Sequence, residues 1–366
     1  MLPKVVVRFA DDQAYNTTEH AFDQEVRLVS KLDGPWKYLL GLYYQHLKFL
    51  DGGNDYYAGA AADNPYDSTD IYNFTDLTHL EQKAIFGELA YTLGDRTTIT
   101  LGARNSDYKK EITSFSAGAL AGGESTTTVS GSQNKPTFKA NISYKAIGQM
   151  MLYGEFAQGF RFGKPVAPYP ASCNNGNGYV AGTDIPINGG FLKSDSVNSF
   201  ELGEKAEFLD KRFTLNSDVY YIKWTNLPMT VIASCEFPIN ESAGKAQSKG
   251  VELEAKFLIV DGLRVDFSGS LLKAQLVGDN PGIGADGARL PGSPEHQYSL
   301  GLQYAFSLAN LPGYVHAEYA RLGGFHTNVQ NLGPVVGDYG QLNASDRRTG
   351  ADQAAVDERR VAEGRE

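Results

Sequence analysis

The sequence predicts an all-β protein: an antiparallel, up-and-down transmembrane β-barrel wall of about 13 strands. Three observations predict it. Apolar and polar residues alternate over runs near the roughly 9 to 11 residues that a tilted membrane strand needs. The connections between those runs are short, then long, then short again, as barrels with tight turns on one side and large loops on the other require. No apolar run approaches the roughly 20 residues of a helical span.

Taken in order, Val26 to Ser30 turns through Leu32-Asp33-Gly34-Pro35 into Tyr38 to Phe49, with Tyr38, Leu40, Leu42 and Tyr44 on one face. A Gly/Asp/Asn-rich stretch, Asp51 to Thr78, reads as a loop. Ala84 to Leu93 places Ile85, Gly87, Leu89, Tyr91 and Leu93 opposite Phe86, Glu88, Ala90 and Thr92; Gly94-Asp95-Arg96 turns it into Thr97 to Tyr108. Lys109 to Lys135, rich in Ser, Thr and Gly, reads as a second loop. Thr137 to Lys145 turns at Ala146-Ile147-Gly148 into Met150 to Phe162. Ser199 to Leu209 turns at Asp210-Lys211-Arg212 into Phe213 to Trp224. Val251 to Phe257 and Leu263 to Phe267 flank Asp261-Gly262, and Gln297 to Phe306 pairs with Tyr314 to Arg321 through Leu311-Pro312-Gly313.

Six hairpins in unbroken order make an up-and-down arrangement. The polar parity assigns Glu88, Arg104, Glu201, Lys205, Glu252, Glu254 and Arg264 to the lumen. Glu204 breaks the pattern, since it shares parity with Phe200, Leu202, Ala206 and Phe208; a bulge or a position near the membrane interface accounts for it. The chain divides into residues 1–23, a partial strand and loop; 24–342, the barrel wall; and 343–366, a charged non-barrel tail that contains Asp346-Arg347-Arg348.

At 366 residues with a formal charge of -10, the chain lacks the basic surface of a nucleic-acid binder. The six histidines are scattered, no catalytic constellation emerges, and no cofactor or metal is expected. Met1 to Arg8 has no apolar signal region, so the chain reads as a fragment of an exported protein. Cys173 and Cys235 lie in loops that flank one hairpin on the same side of the wall. They read as a disulfide staple, with two free thiols as the alternative.

With the strands placed, several segments resemble the barrel of TonB-dependent outer-membrane receptors. The carrying pieces are Gln24 to Leu28, Ala84 to Glu88, Thr100 to Arg104, Tyr153 to Arg161 with Gly159-Phe160-Arg161, Glu201 to Lys205, Asn240 to Gly244 and Ser248 to Glu254. The resemblance implies a Gram-negative outer-membrane location, with short turns periplasmic and long loops extracellular. It implies uptake of siderophore-iron or a similar scarce nutrient, outer-membrane lipid around the wall, and energy from the TonB complex. Against that family the sequence shows no TonB-contacting box and no plug, and only part of a 22-strand barrel, which implies a partial wall able to stand as an open curved sheet. Ligand contact, on the same resemblance, falls to loop aromatics Tyr56, Tyr57, Tyr66, Tyr72, Tyr169 and Tyr179, with Arg161 at the mouth. The alternatives are a passive porin-like channel, a non-functional truncated barrel and a soluble surface-binding β-protein.

Overall fold

A computed structural model describes residues 11–31, 33–57, 70–118, 123–166, 169, 173–180, 185–235, 238–242, 244–278, 284–308, 311–329 and 334–348. The described chain is strand and connection, with no helix long and apolar enough to cross a membrane. One 13-stranded sheet holds β1 (Asp11–Val29), β2 (Trp36–Tyr57), β3 (Asp70–Leu93), β4 (Thr97–Ala117), β5 (Ser125–Ile147) and β6 (Met150–Phe160). It continues through β9 (Ser196–Phe208), β10 (Phe213–Thr225), β13 (Lys245–Val260), β14 (Leu263–Val277), β15 (His296–Leu308), β16 (Leu311–Leu322) and β19 (Tyr339–Arg348). Every neighbour is antiparallel and sequential within the wall, and no pairing among the described residues joins β1 to β19. The sheet is therefore open. Three small hairpins decorate it: β7 (Lys164–Val166) with β8 (Gly190–Leu192), β11 (Pro228–Ile232) with β12 (Pro238–Ser242), and β17 (Phe325–His326) with β18 (Val335–Val336).

Register turns the sequence alternation into two surfaces. Leu40, Leu42, Ile85, Leu101, Phe138, Leu202, Val219, Val251, Leu271 and Leu300 lie on one face and are exposed, as lipid-facing residues must be in a chain described without its bilayer. Glu88, Arg104, Glu201, Lys205, Glu252, Glu254 and Arg264 occupy the other. There Arg104 lies over the rings of Tyr43 and Phe86, Lys205 over Tyr153, Glu201 accepts from the Tyr153 hydroxyl, and Arg264 pairs with Asp266 at 2.7 Å. Gly41 makes the first of these stacks possible: a Cβ there would run into the Phe86 ring, which lies flat against the wall.

Several sequence expectations change. The predicted loops Asp51 to Thr78 and Lys109 to Lys135 are largely strand, because β2 runs to Tyr57, β3 starts at Asp70, β4 runs to Ala117 and β5 starts at Ser125. These arms extend past the apolar belt, with water on both faces, so their residues carry no alternation to read. Residues 11–23 belong to β1, paired with β2 from Asp11↔Tyr57 onward. The last strand continues past residue 342, with Asp346 opposite Val315 and Arg348 opposite Gly313. Glu204 does not sit at a bulge: the register is unbroken through β6, β9 and β10, and its Oε1 accepts from Ser217 Oγ at 3.2 Å.

The β9–β10 turn is unusual in placing Leu209, Asp210 and Lys211 at φ 54°, 53° and 67°. Arg212 holds that conformation from the next hairpin. Its side chain donates to the Leu258 and Ile259 carbonyls at 3.2 and 3.0 Å, while its own carbonyl accepts from Leu258 N at 2.8 Å.

The buried apolar cluster is not in the wall. Tyr169, Cys173, Val180, Ile187, Leu227, Ala233, Ile239, Ala246, Leu276 and Val329 form it, drawn from three long connections and from the inward-facing ends of β13 and β14. A membrane wall one strand thick has no interior of its own, so the hydrophobic core forms where the connections meet over the mouth.

Candidate functional site at the barrel mouth

The two ends of the β6–β9 connection meet where β6 ends and β9 begins. Arg161 follows β6, and Asp195 precedes β9, aligned with it across the wall. Asp195 is nearly fully buried and accepts from two residues, Arg161 after β6 and Trp224 on β10. Its Oδ1 takes the Arg161 backbone N–H at 3.1 Å, and its Oδ2 takes Arg161 Nε and Trp224 Nε1, each at 2.8 Å. The Arg161 guanidinium also stacks over the Trp224 indole at 4.8 Å. The carboxylate is thus satisfied by charge-assisted bonds, while 61% of the Arg161 side chain remains exposed against 3% for Asp195. The arrangement fixes a planar cation in place and still presents it to solvent.

A second buried network supports the first. Tyr108, fully buried on β4, places its hydroxyl 2.6 Å from both Gln133 Oε1 and Ser194 Oγ, and accepts from Gly163 N at 2.8 Å. Ser194 N donates to Gln133 Oε1 at 2.8 Å, and Asn226 Nδ2 donates to the Ser194 carbonyl at 3.2 Å. Residues far apart in sequence therefore lock the segment that carries Asp195. Close packing of the β7–β8 hairpin on the wall needs Gly131, since a Cβ there would overlap the Phe191 ring.

Other cations share this side of the mouth. Lys135 donates to Ser196 Oγ at 2.8 Å, and Lys110 and Lys164 are close enough to repel each other. Burial, and then the Lys164 charge, lower the Lys110 pKa from the ordinary lysine value. Lys110, Lys135 and Lys164 thus stand on the same side of the mouth as Arg161 in a chain of net charge -10.

Cys173 and Cys235 form a disulfide, which joins the β6–β9 connection to the β10–β13 connection inside the buried cluster. Among the loop aromatics, Tyr169 is packed in that cluster rather than presented to solvent. Tyr179 is exposed beside the bridge between Asn174 and Val180, Tyr56 accepts from Asn54 Nδ2 at 2.9 Å, and Tyr72 stacks near Phe74 at 6.0 Å. Burial, with Asp76 and Asp55, raises the Tyr72 pKa. Tyr66 and the Tyr57 side chain lie outside the described residues. Of the residues named from sequence for ligand contact, Arg161 has the most defined setting. Asp195 and Trp224, its partners, carry no local motif: they come together only because β6, β9 and β10 are neighbours.

A family model described as TonB dependent receptor-like, beta-barrel, matches residues 6–348. The chain belongs to that family. Members are outer-membrane receptors and transporters rather than enzymes. Among curated relatives of this receptor barrel, the rhizobactin receptor of Rhizobium meliloti is 25% identical over 169 residues, 43% of this chain and 22% of that protein. The pesticin receptor of Yersinia pestis is 25% identical over 207 residues, 56% of this chain and 28% of that protein. Among solved structures, the ferric yersiniabactin uptake receptor FyuA from Yersinia pestis superposes with a TM-score of 0.75 at 18% identity, covering 93% of this chain and 48% of its own. BauA, the ferric preacinetobactin receptor from Acinetobacter baumannii, gives a TM-score of 0.67 at 15% identity, covering 94% and 49%. The chain spans about half the length of these solved relatives.

Proposed function

We propose that this receptor barrel takes part in TonB-coupled uptake of a ferric siderophore across the outer membrane of a Gram-negative cell, with its long connections extracellular. Support comes from the family match together with named relatives that are receptors for iron chelates. The observation that carries the ligand side is the Arg161–Asp195–Trp224 arrangement, an exposed guanidinium held in place at the mouth with lysines close by. A preorganised planar cation favours an anionic chelate, because little side-chain freedom is lost when the anion arrives. Capture outside would precede a TonB-driven step, for which the wall supplies the passage and the mouth supplies recognition.

Trp224 is also a reporter. The chain has two tryptophans, and the other, Trp36, sits at the opposite, short-turn end of the wall. In a Trp36→Phe background, a ferric siderophore bound at Arg161 quenches the remaining indole fluorescence, and Arg161→Ala abolishes that quenching. Unchanged fluorescence across a panel of ferric hydroxamate, catecholate and mixed chelates, with no restored growth under iron limitation, would reject the proposal.

A further inference from the structure

We infer that the outward face of β10, β13 and β14, at the long-connection rim of the apolar belt, is a docking surface for a lipid headgroup that carries phosphate groups. Four exposed lysines stand there: Lys223 on β10, Lys245 and Lys249 on β13, and Lys273 on β14. Each shares the parity of the lipid-facing residues on its own strand, Val219, Val251 and Leu271. Lys249 and Lys273 are direct cross-strand partners, and Lys249 also lies opposite Tyr221. Directly opposed like charges destabilise a sheet pair, so the arrangement calls for an anion between them.

The described residues supply none. Among the described residues, no ion pair engages any of the four. On the flanking strand β9, Asn198 is opposite Lys223, and on β15 His296 is opposite Leu271. Glu295, which directly precedes β15, is engaged by Arg289 at 3.6 Å. Lys223 lies over the Tyr221 ring at 5.6 Å, at the last aromatic of the belt.

The height is right for headgroups. At about 3.3 Å per residue and a tilt of about 40°, the outward run from Val251 to Ile259 climbs roughly 20 Å, close to the apolar band of a membrane barrel. Lys249 is the next outward residue above it. A lone lysine at such a rim simply reaches for water; four on three adjacent strands, two of them opposed, form a site for clustered phosphate. All three strands lie well inside the sheet, away from its open edges.

The choice of the outer leaflet rests on the orientation proposed above. The full chain is reconstituted with vesicles of zwitterionic lipid doped with a bis-phosphorylated glycolipid, its dephosphorylated counterpart, or phosphatidylglycerol, and retained lipid is measured by native mass spectrometry. The phosphorylated glycolipid should bind at least about tenfold tighter than the other two. Lys249→Gln with Lys273→Gln should remove that preference, Lys249→Arg with Lys273→Arg should keep it, and inward-facing Lys256→Gln should leave it unchanged. Equal retention of the two glycolipids by the unaltered protein overturns the inference without any variant. So does displacement by inorganic phosphate, which would mark a free-anion site, or a preference for phosphatidylglycerol, which would put the lysines at the other leaflet. Chelate quenching at Trp224 is read separately, so failure of the uptake proposal is distinguishable from failure here.

Discussion

Arg161 illustrates how far a single residue can be read. Its place at the end of the predicted strand Met150 to Phe162 made it a mouth residue on family resemblance, but its partners were invisible, since Asp195 and Trp224 are remote in sequence and meet only through strand order. Asp195→Asn keeps the shape and removes the charge that orients the guanidinium; we expect affinity for a ferric siderophore to fall about tenfold in quenching titrations. Lys110 makes a pH prediction. Its folded pKa is depressed by burial and by Lys164, so below the ordinary lysine value of 10.5 the unfolded chain binds more protons than the folded one. That contribution to stability increases as pH rises from the depressed value toward 10.5 and diminishes as pH falls, and Lys110→Met should flatten it in denaturant titrations. At the β9–β10 turn, Lys211 has a left-handed φ of 67°. Lys211→Gly relieves the Cβ conflict and should stabilise the micelle-bound protein by about 0.5–1 kcal/mol in urea unfolding.

Among elements, the wall strands and the connections behave differently. Where strands cross lipid, one face must be apolar and the other polar, and the period of two is legible from Leu40 to Leu342. Where β2 to β5 rise out of the belt, both faces meet water, and Ser, Thr, Gly and Asp on either parity look like loop. The hydrogen-bond ladder, not the side-chain pattern, makes Lys109 to Ala117 a strand. The connections conceal a core for another reason: its members are irregularly spaced, as Tyr169, Cys173, Val180 and Ile187 are along the β6–β9 connection, so no strand or helix period marks them. The Cys173–Cys235 disulfide ties two of those connections together. Cys173→Ser with Cys235→Ser should weaken the closed cap by roughly 2–4 kcal/mol, read as faster proteolysis of the connections, while the heat-dependent gel migration of the wall is unchanged.

For the whole molecule, the governing fact is that the sheet does not close among the described residues. There β1 and β19 each present an unpaired edge, and in lipid every unpaired backbone group costs several kcal/mol. The described 13-strand wall, expressed alone in detergent, should therefore associate through those edges. A monodisperse monomer in light scattering would contradict this. The sequence by itself determined the membrane as solvent, the antiparallel order and the inward or outward aim of most wall residues, because lipid on one side and water on the other impose a period of two on any strand between them. Tertiary structure alone decided which distant residues share the mouth, how a buried core arises from the connections, and that lysines from three strands line one rim. Those outcomes depend on register and strand neighbours, and register is a relation between segments that no single segment encodes.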